Sequence, residues 1–266
     1  MPEFLYDIPL RELAIYFSMA AVIAALLGLI VVKPSLRIIF GTGPDFNHNV
    51  SFGGSGFNLF YGLLLGLLTV AAYQNNQRVA QAIQSEAALL GSLYSDLNSY
   101  PEPIRSEVKT LMRDYTLFTI HRDWQAHREG QFLDGGSRRA DAIRTVLSRY
   151  EPVTEGQAIL HHAVISSFQD FSAARQERIT GVMTEIPDVL WYAVLVGAAM
   201  NVTLLVMLRM RLHQHLLLAT ISAFYLGVIM FVIVVLDDPL RGDSGLDPEP
   251  FVLMWDRQMV WDDEVG

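Results

Sequence analysis

The chain has 266 residues, 52% of them hydrophobic, and a mean hydropathy of +0.30. Its apolar residues gather into long uncharged runs, which excludes an ordinary soluble domain and points to a multi-pass membrane protein. A formal charge of −9 with no basic run argues against a nucleic-acid partner, and the lack of cysteine removes disulfides, thiolate metal sites and cysteine nucleophiles.

Residues 1–12 form a polar segment with Glu3, Asp7 and Glu12. Residues 13–32 then carry no charge over about 20 residues, the length at which a helix crosses a bilayer. Acidic residues precede this run and no small-x-small cleavage site follows, so it reads as a retained span. Lys33, Pro34 and Arg37 close it. Residues 41–56 read GTGPDFNHNVSFGGSG, whose glycines and Asx residues predict a loop; it carries no phosphate-cradling motif. From Gly56 to Asn98 no proline interrupts the chain, which predicts one continuous helix. At ~1.5 Å per residue it would be roughly 64 Å long, about twice the hydrocarbon thickness. Its first part, 57–72, is the second span. Phe57, Tyr61, Leu64 and Leu68 share one face there, read as helix packing, as the apolar gate of a pore, or as both. Gly62 and Gly66 form a G-x-x-x-G pair that would let another helix approach closely.

From Tyr73 the pattern turns amphipathic, with Val79, Ile83, Leu90, Leu93 and Leu97 at helical spacing. Ile104, Val108, Leu111, Tyr115 and Phe118 mark a second apolar face, and Ala140, Ile143, Leu147 and Tyr150 a third. Thr154 and Gln157 predict a capping box opening a helix that buries Ile159, Val164, Phe168, Phe171 and Ile179. Residues 73–186 therefore read as an extramembrane helical bundle. Residues 189–208 form the third span, with Trp191 and Tyr192 as interface anchors, and residues 216–236 the fourth. Arg209, Arg211, His213 and His215 between them read as headgroup contacts. Residues 237–266 read as an acidic tail without periodicity. The fold class is all-α: a span pair in 1–72, the lobe in 73–186, a second span pair in 187–236, and the tail. An even span count puts both termini and the lobe on one side. Positive-inside counting of Lys33, Arg37, Arg209 and Arg211 puts that side outside.

No catalytic motif is present, and the reading is non-enzymatic. The spans lack Asp, Glu, Lys, Arg and His, which argues against a proton-coupled carrier and suits either a channel or a structural membrane protein. Asn201, Thr203, Ser222 and Tyr225 are the polar groups within spans three and four, read as interhelical hydrogen-bonders. Asp237, Asp238, Asp243, Asp247 and Glu249 crowd a turn-rich stretch with Gly242 and Gly245. Hard oxygen ligands of this kind suit Ca²⁺; the other reading is a solvated acidic segment.

Two span pairs around a helical lobe, with the segments YGLLLGLLTVAAYQNN, ALLGSLYSDLNSYPEPIRSEVKTLMRDYT, ARQERITGVMTEIPDVLWYAVLVGA and VVLDDPLRGDSGLDPEPF, resemble the bestrophin-like membrane family, distantly related to the bestrophin anion channels. The resemblance implies an oligomeric chloride-type channel lined by the second helix, with Phe57, Tyr61 and Leu64 at its hydrophobic neck and the lobe in the cytoplasm. That orientation opposes the positive-inside count. The segment Asp238-Pro239-Leu240-Arg241-Gly242-Asp243 stands where bestrophins carry Pro-Phe-Gly before acidic residues that bind Ca²⁺ in some members. Here leucine replaces phenylalanine and an arginine is inserted. The expected partners are the lipid bilayer, inorganic ions and further copies of the chain, as a tetramer or pentamer, in a bacterial inner membrane. A non-conducting scaffold or sensor whose lobe binds a partner is the alternative.

Overall fold

The computed structural model describes residues 8–35, 45–242 and 245–260. All regular elements among them are helical: α1 (Leu10–Leu27, continued by a π turn at Gly28–Val32), α2 (Phe46–Asp96), α3 (Ile104–Phe118, then a π turn at Thr119–Asp123), α4 (Trp124–Arg128), α5 (Gly135–Arg149), α6 (Glu155–Val182), α7 (Asp188–Met207), α8 (Leu212–Asp237) and α9 (Glu249–Met254, then a π turn at Trp255–Met259). The chain divides into two units, one of residues 1–75 and 185–238, the other of residues 76–184 and 239–266.

The first unit is the membrane part. α1, α2, α7 and α8 are each long and apolar enough to span a bilayer, so the chain is an all-α membrane protein. Their outer faces are apolar as well: Ile15, Met19 and Ile23 on α1, and Val189, Tyr192, Leu195, Leu217 and Ile221 on α7 and α8, are all exposed. Such a surface is stable against lipid and not against water. α1 and α8 meet at Gly227, where a Cβ would fall 2.7 Å from the Phe17 carbonyl oxygen and the Ser18 Cα. At the end of α8, Asp237 accepts hydrogen bonds from the Ile186 N–H (2.8 Å) and Trp191 Nε1 (3.3 Å).

α2 starts at Phe46, so residues 46–56 are helix where a loop was expected; residues 41–44 of that expectation lie outside the described residues. The glycines there cost helix propensity, but inside a bilayer every backbone N–H and C=O needs a partner within its own segment, and the helix supplies it. Asn47 fixes the start. Its Nδ2 donates to the Arg209 carbonyl at 2.7 Å and its Oδ1 accepts from the Arg209 N–H at 2.8 Å. Likewise Pro34 does not close the first span, because helix runs on to Ser35. The widened turn at Gly28–Val32 ends two residues before the proline and suits a residue that has no N–H to give.

In the second unit Val79, Ile83, Leu90 and Leu93 of α2, and Leu97 just after it, pack with Val108, Met112 and Tyr115 of α3, Ile143 and Leu147 of α5, and Val164, Phe168 and Phe171 of α6. The capping box forms as expected: Thr154 Oγ1 accepts from the Gln157 N–H at 3.2 Å, and the Thr154 N–H donates back to Gln157 Oε1. Ile159 departs from expectation. It is 68% exposed, because the buried register of α6 begins one turn later at Val164. The segment read as an unpatterned tail also departs from it. Leu240, Phe251 and Met259 are fully buried in this unit, and Trp124 Nε1 donates to the Leu246 carbonyl at 2.8 Å.

Candidate pore helix and buried charge cluster

The membrane half of α2 has two opposed faces. Phe57, Tyr61, Leu64 and Leu68 point into the protomer. Tyr61 and Leu68 are 6% exposed, Phe57 and Leu64 half-buried. The Tyr61 hydroxyl donates to the Val194 carbonyl at 3.1 Å, its ring fills the space that Gly197 leaves on α7, and Phe57 stacks on it at 5.7 Å. Of the readings given for this face, packing within the protomer is the one these contacts support. At 100° per residue the opposite face carries Phe52, Gly56, Leu59, Phe60, Leu63, Gly66, Leu67 and Val70. Leu59 and Phe60 are 71% and 72% exposed, and Leu63 and Leu67 are exposed too. No charged side chain occurs between residues 49 and 77. Gly62 and Gly66 have no atom within 4 Å of a would-be Cβ, so within one chain they admit no close helix contact. Gly227 and Gly197 do that instead.

Beside the Tyr61 face lies an open cleft of about 430 Å³ among α2, α7 and α8, lined in part by Ser51, Ser55, Asn58, Asn201, Ser222 and Tyr225. Asn201 Nδ2 donates to Asn58 Oδ1 at 2.9 Å, as an interhelical bond was expected to do. Thr203 instead returns its hydroxyl to the Ala199 carbonyl of its own helix. His215, read as a headgroup contact, is fully buried between Lys33 Nζ (2.7 Å) and the Leu205 carbonyl (2.9 Å).

The described residues of the acidic segment are engaged separately. Asp237 is taken by Ile186 and Trp191, and Asp247 pairs with Arg128 in the other unit. Asp238 is the residue at which α8 ends, and Asp243 lies outside the described residues. Among the described residues no three His, Asp or Glu side chains converge as a metal site requires.

Sequence reasoning missed a buried charge cluster in the second unit. Glu86 of α2 and Arg178 of α6 are both fully buried, with Arg178 Nε donating to Glu86 Oε2 at 2.6 Å. The Tyr115 hydroxyl donates to the other oxygen of Glu86. Contacts on the Asp123 side are looser: Arg178 Nη2 lies 3.6 Å from Asp123 Oδ2, and His127 Nε2 lies 3.7 Å from Oδ1. Arg175 joins through Nη2, which donates to Ser137 Oγ at 3.1 Å. Burial, then the Glu86 charge, pushes the Tyr115 hydroxyl above its ordinary range. Burial likewise raises Asp123, against the pull of Arg178 and Arg175. Burial and the Arg178 charge bring His127 down to about 4, so it is neutral near pH 7. Burial opposes the charge of Arg178, but Glu86 and Tyr115 outweigh it and hold the guanidinium protonated. The signal was in the register. Val79, Ile83, Glu86, Leu90, Leu93 and Leu97 step by four and three, as do Val164, Phe168, Phe171, Arg175, Arg178 and Val182. A carboxylate and two guanidiniums at core positions demand one another.

The family model described as Bestrophin-like domain matches residues 19–251 of the chain. No curated protein and no solved structure matches it.

Proposed function

The chain belongs to the bestrophin-like domain family, and on that premise we propose that it is an oligomeric, anion-conducting channel of a bacterial inner membrane, with no enzymatic role. The observation that carries this reading is the outer face of α2. It is a stripe of large apolar side chains and glycines, exposed on the protomer and free of charge over the length of the span. Several copies arranged about an axis would bring Phe60, Leu63 and Leu67 into stacked rings. An apolar constriction of that kind conducts when wetted and closes by dewetting. Gly56 and Gly66 on the same stripe let neighbouring helices come close to the axis. Residues 49–77 of α2 hold no carboxylate that would favour cations along such a path. The copy number is a tetramer or pentamer.

Flux through purified protein in liposomes tests it, with chloride and potassium gradients read separately. Phe60→Ala and Leu63→Ala widen the constriction and raise chloride flux several-fold. Tyr61→Ala removes a packing residue and lowers stability without widening a pore. Absence of flux from wild type and both widened variants, with intact oligomers in the same sample, refutes the channel and leaves a scaffold or sensor.

A further inference from the structure

The lobe's charge cluster holds polar atoms that nothing in the chain satisfies. Arg175 Nε, Arg178 Nη1, His127 Nδ1, Thr119 Oγ1 and Ser172 Oγ are buried with no hydrogen-bond partner. Native interiors leave very few such groups, and an orphaned guanidinium N–H is among the costliest. Arg178 and His127 approach Asp123 through their other nitrogens, and Thr119 stands on the same π turn. The π turn at Thr119–Asp123 buries Thr119 and Asp123 together, and widened turns of this type recur at functional sites. Gly136 closes the opposite side: the position of its absent Cβ is 3.0 Å from Arg175 Nη2 and 3.5 Å from Asp123 Oδ2. Any side chain there would fill the space the two groups share. The contacts of 3.6 and 3.7 Å around Asp123 are too long for direct hydrogen bonds, so its carboxyl is held loosely.

We infer that this shell binds a small monovalent anion of halide size, held by the free guanidinium N–H groups of Arg175 and Arg178 with Thr119 beside them. The guest's chemistry follows from the orphans. The two guanidinium nitrogens only donate, and the hydroxyls and the imidazole adapt to either role, so the shell wants an acceptor. A halide accepts from several directions and has no proton to place. The size follows from burial: Thr119 and Arg178 are closed from solvent and His127 and Arg175 nearly so, which favours a compact guest. Charge sets the linkage. Arg175 and Arg178 are already matched by Glu86 and Asp123 when both are ionised, Tyr115 is neutral, and His127 is uncharged. An incoming anion therefore enters with a proton on Asp123, whose carboxyl then donates to it. Halide binding and proton uptake go together. The site lies wholly within the second unit and stands whether or not the membrane unit conducts.

Thermal unfolding of the full-length protein in detergent tests this, with chloride or bromide compared with gluconate at fixed ionic strength, at acid and alkaline pH. The expected result is a saturable rise of a few degrees with either halide, larger at acid pH. Arg175→Gln should abolish the rise, and Asp123→Asn should keep it at both pH values. Lack of any halide dependence overturns the inference. So does a dependence that Arg175→Gln leaves intact, since the anion would then sit elsewhere. Bromide anomalous scattering from wild-type crystals keeps the question open to test if Arg175→Gln does not fold. A peak between Arg175 and Arg178 supports the site, and density for water alone overturns it.

Discussion

Arg178→Met isolates the contact that ties α2 to α6 within the second unit. Arg178 Nε and Nη2 reach Glu86 at 2.6 and 3.4 Å, and its guanidinium lies 5.4 Å from the Trp124 ring centroid. Methionine keeps most of the aliphatic volume and removes the charge. Glu86 then stays buried with the Tyr115 hydroxyl as its remaining side-chain donor, and the cost is that of an uncompensated interior carboxylate, about 3–5 kcal/mol. At about 2–4 °C per kcal/mol for a chain of this size, the melting temperature should fall by roughly 10 °C. The triple variant Glu86→Leu, Tyr115→Phe, Arg178→Met replaces the network with apolar groups of similar volume. It should recover at least half of the loss, because the penalty comes from the orphaned charge and not from missing volume. Thermal unfolding followed by tryptophan fluorescence reads both. A single variant that loses less than about 1 kcal/mol would refute the reasoning, as would a triple variant no better than the single one.

Further outcomes follow from the lobe and from the membrane unit. His127 titrates at about 4 in the fold against 6.5 when free, so the folded state binds fewer protons between those values; its stabilisation is complete above pH 6.5 and is lost as pH falls towards 4. That interval is worth about 3 kcal/mol, and His127→Gln should remove this part of the acid sensitivity in pH-dependent unfolding. Asp123 works in the opposite sense: its raised pKa gives stability at low pH that is lost as pH rises past it, so a net slope that steepens in His127→Gln would contradict the assignment. In the membrane unit, Gly227→Ala drives a Cβ to 2.7 Å from the backbone of α1 and should cost about 1–3 kcal/mol. Gly62→Ala meets nothing within 4 Å and should be neutral or stabilising in the solubilised protomer; the reverse order would show that the packing is misassigned.

The four spans and the continuous second helix were legible because bilayer thickness imposes a length on uncharged segments that few other pressures mimic. The face of α2 that packs was named in the sequence, but whether it packs or gates was left open. Both faces of a span are apolar, so hydropathy cannot separate Tyr61 from Phe60; only the position of Gly197 and the Val194 carbonyl does, and both belong to a helix more than 130 residues away. Glycines 53, 54 and 56 misled for a related reason, since their loop preference holds in water and is overruled where backbone must pair with itself. In the lobe the apolar stripe on α2 was read with a gap at position 86. That position falls on the same register, and the glutamate there is the first sign of the cluster. The acidic stretch after α8 was read as a cation site or a solvated segment because its carboxylates are close in sequence; in the fold Trp191 and Ile186 engage Asp237 and Arg128 engages Asp247.

The chain contains no cysteine, so single cysteines on α2 can be labelled without background. Cysteines replacing Phe60, Leu63 and Leu67 on the outer face, and Phe57 and Leu64 on the inner, would be treated with a charged thiosulfonate during chloride flux in liposomes. The account predicts that labelling at 60, 63 and 67 changes flux and that 57 and 64 stay silent. Modification that alters flux only at 57 and 64 would put the ion path inside the protomer and contradict it.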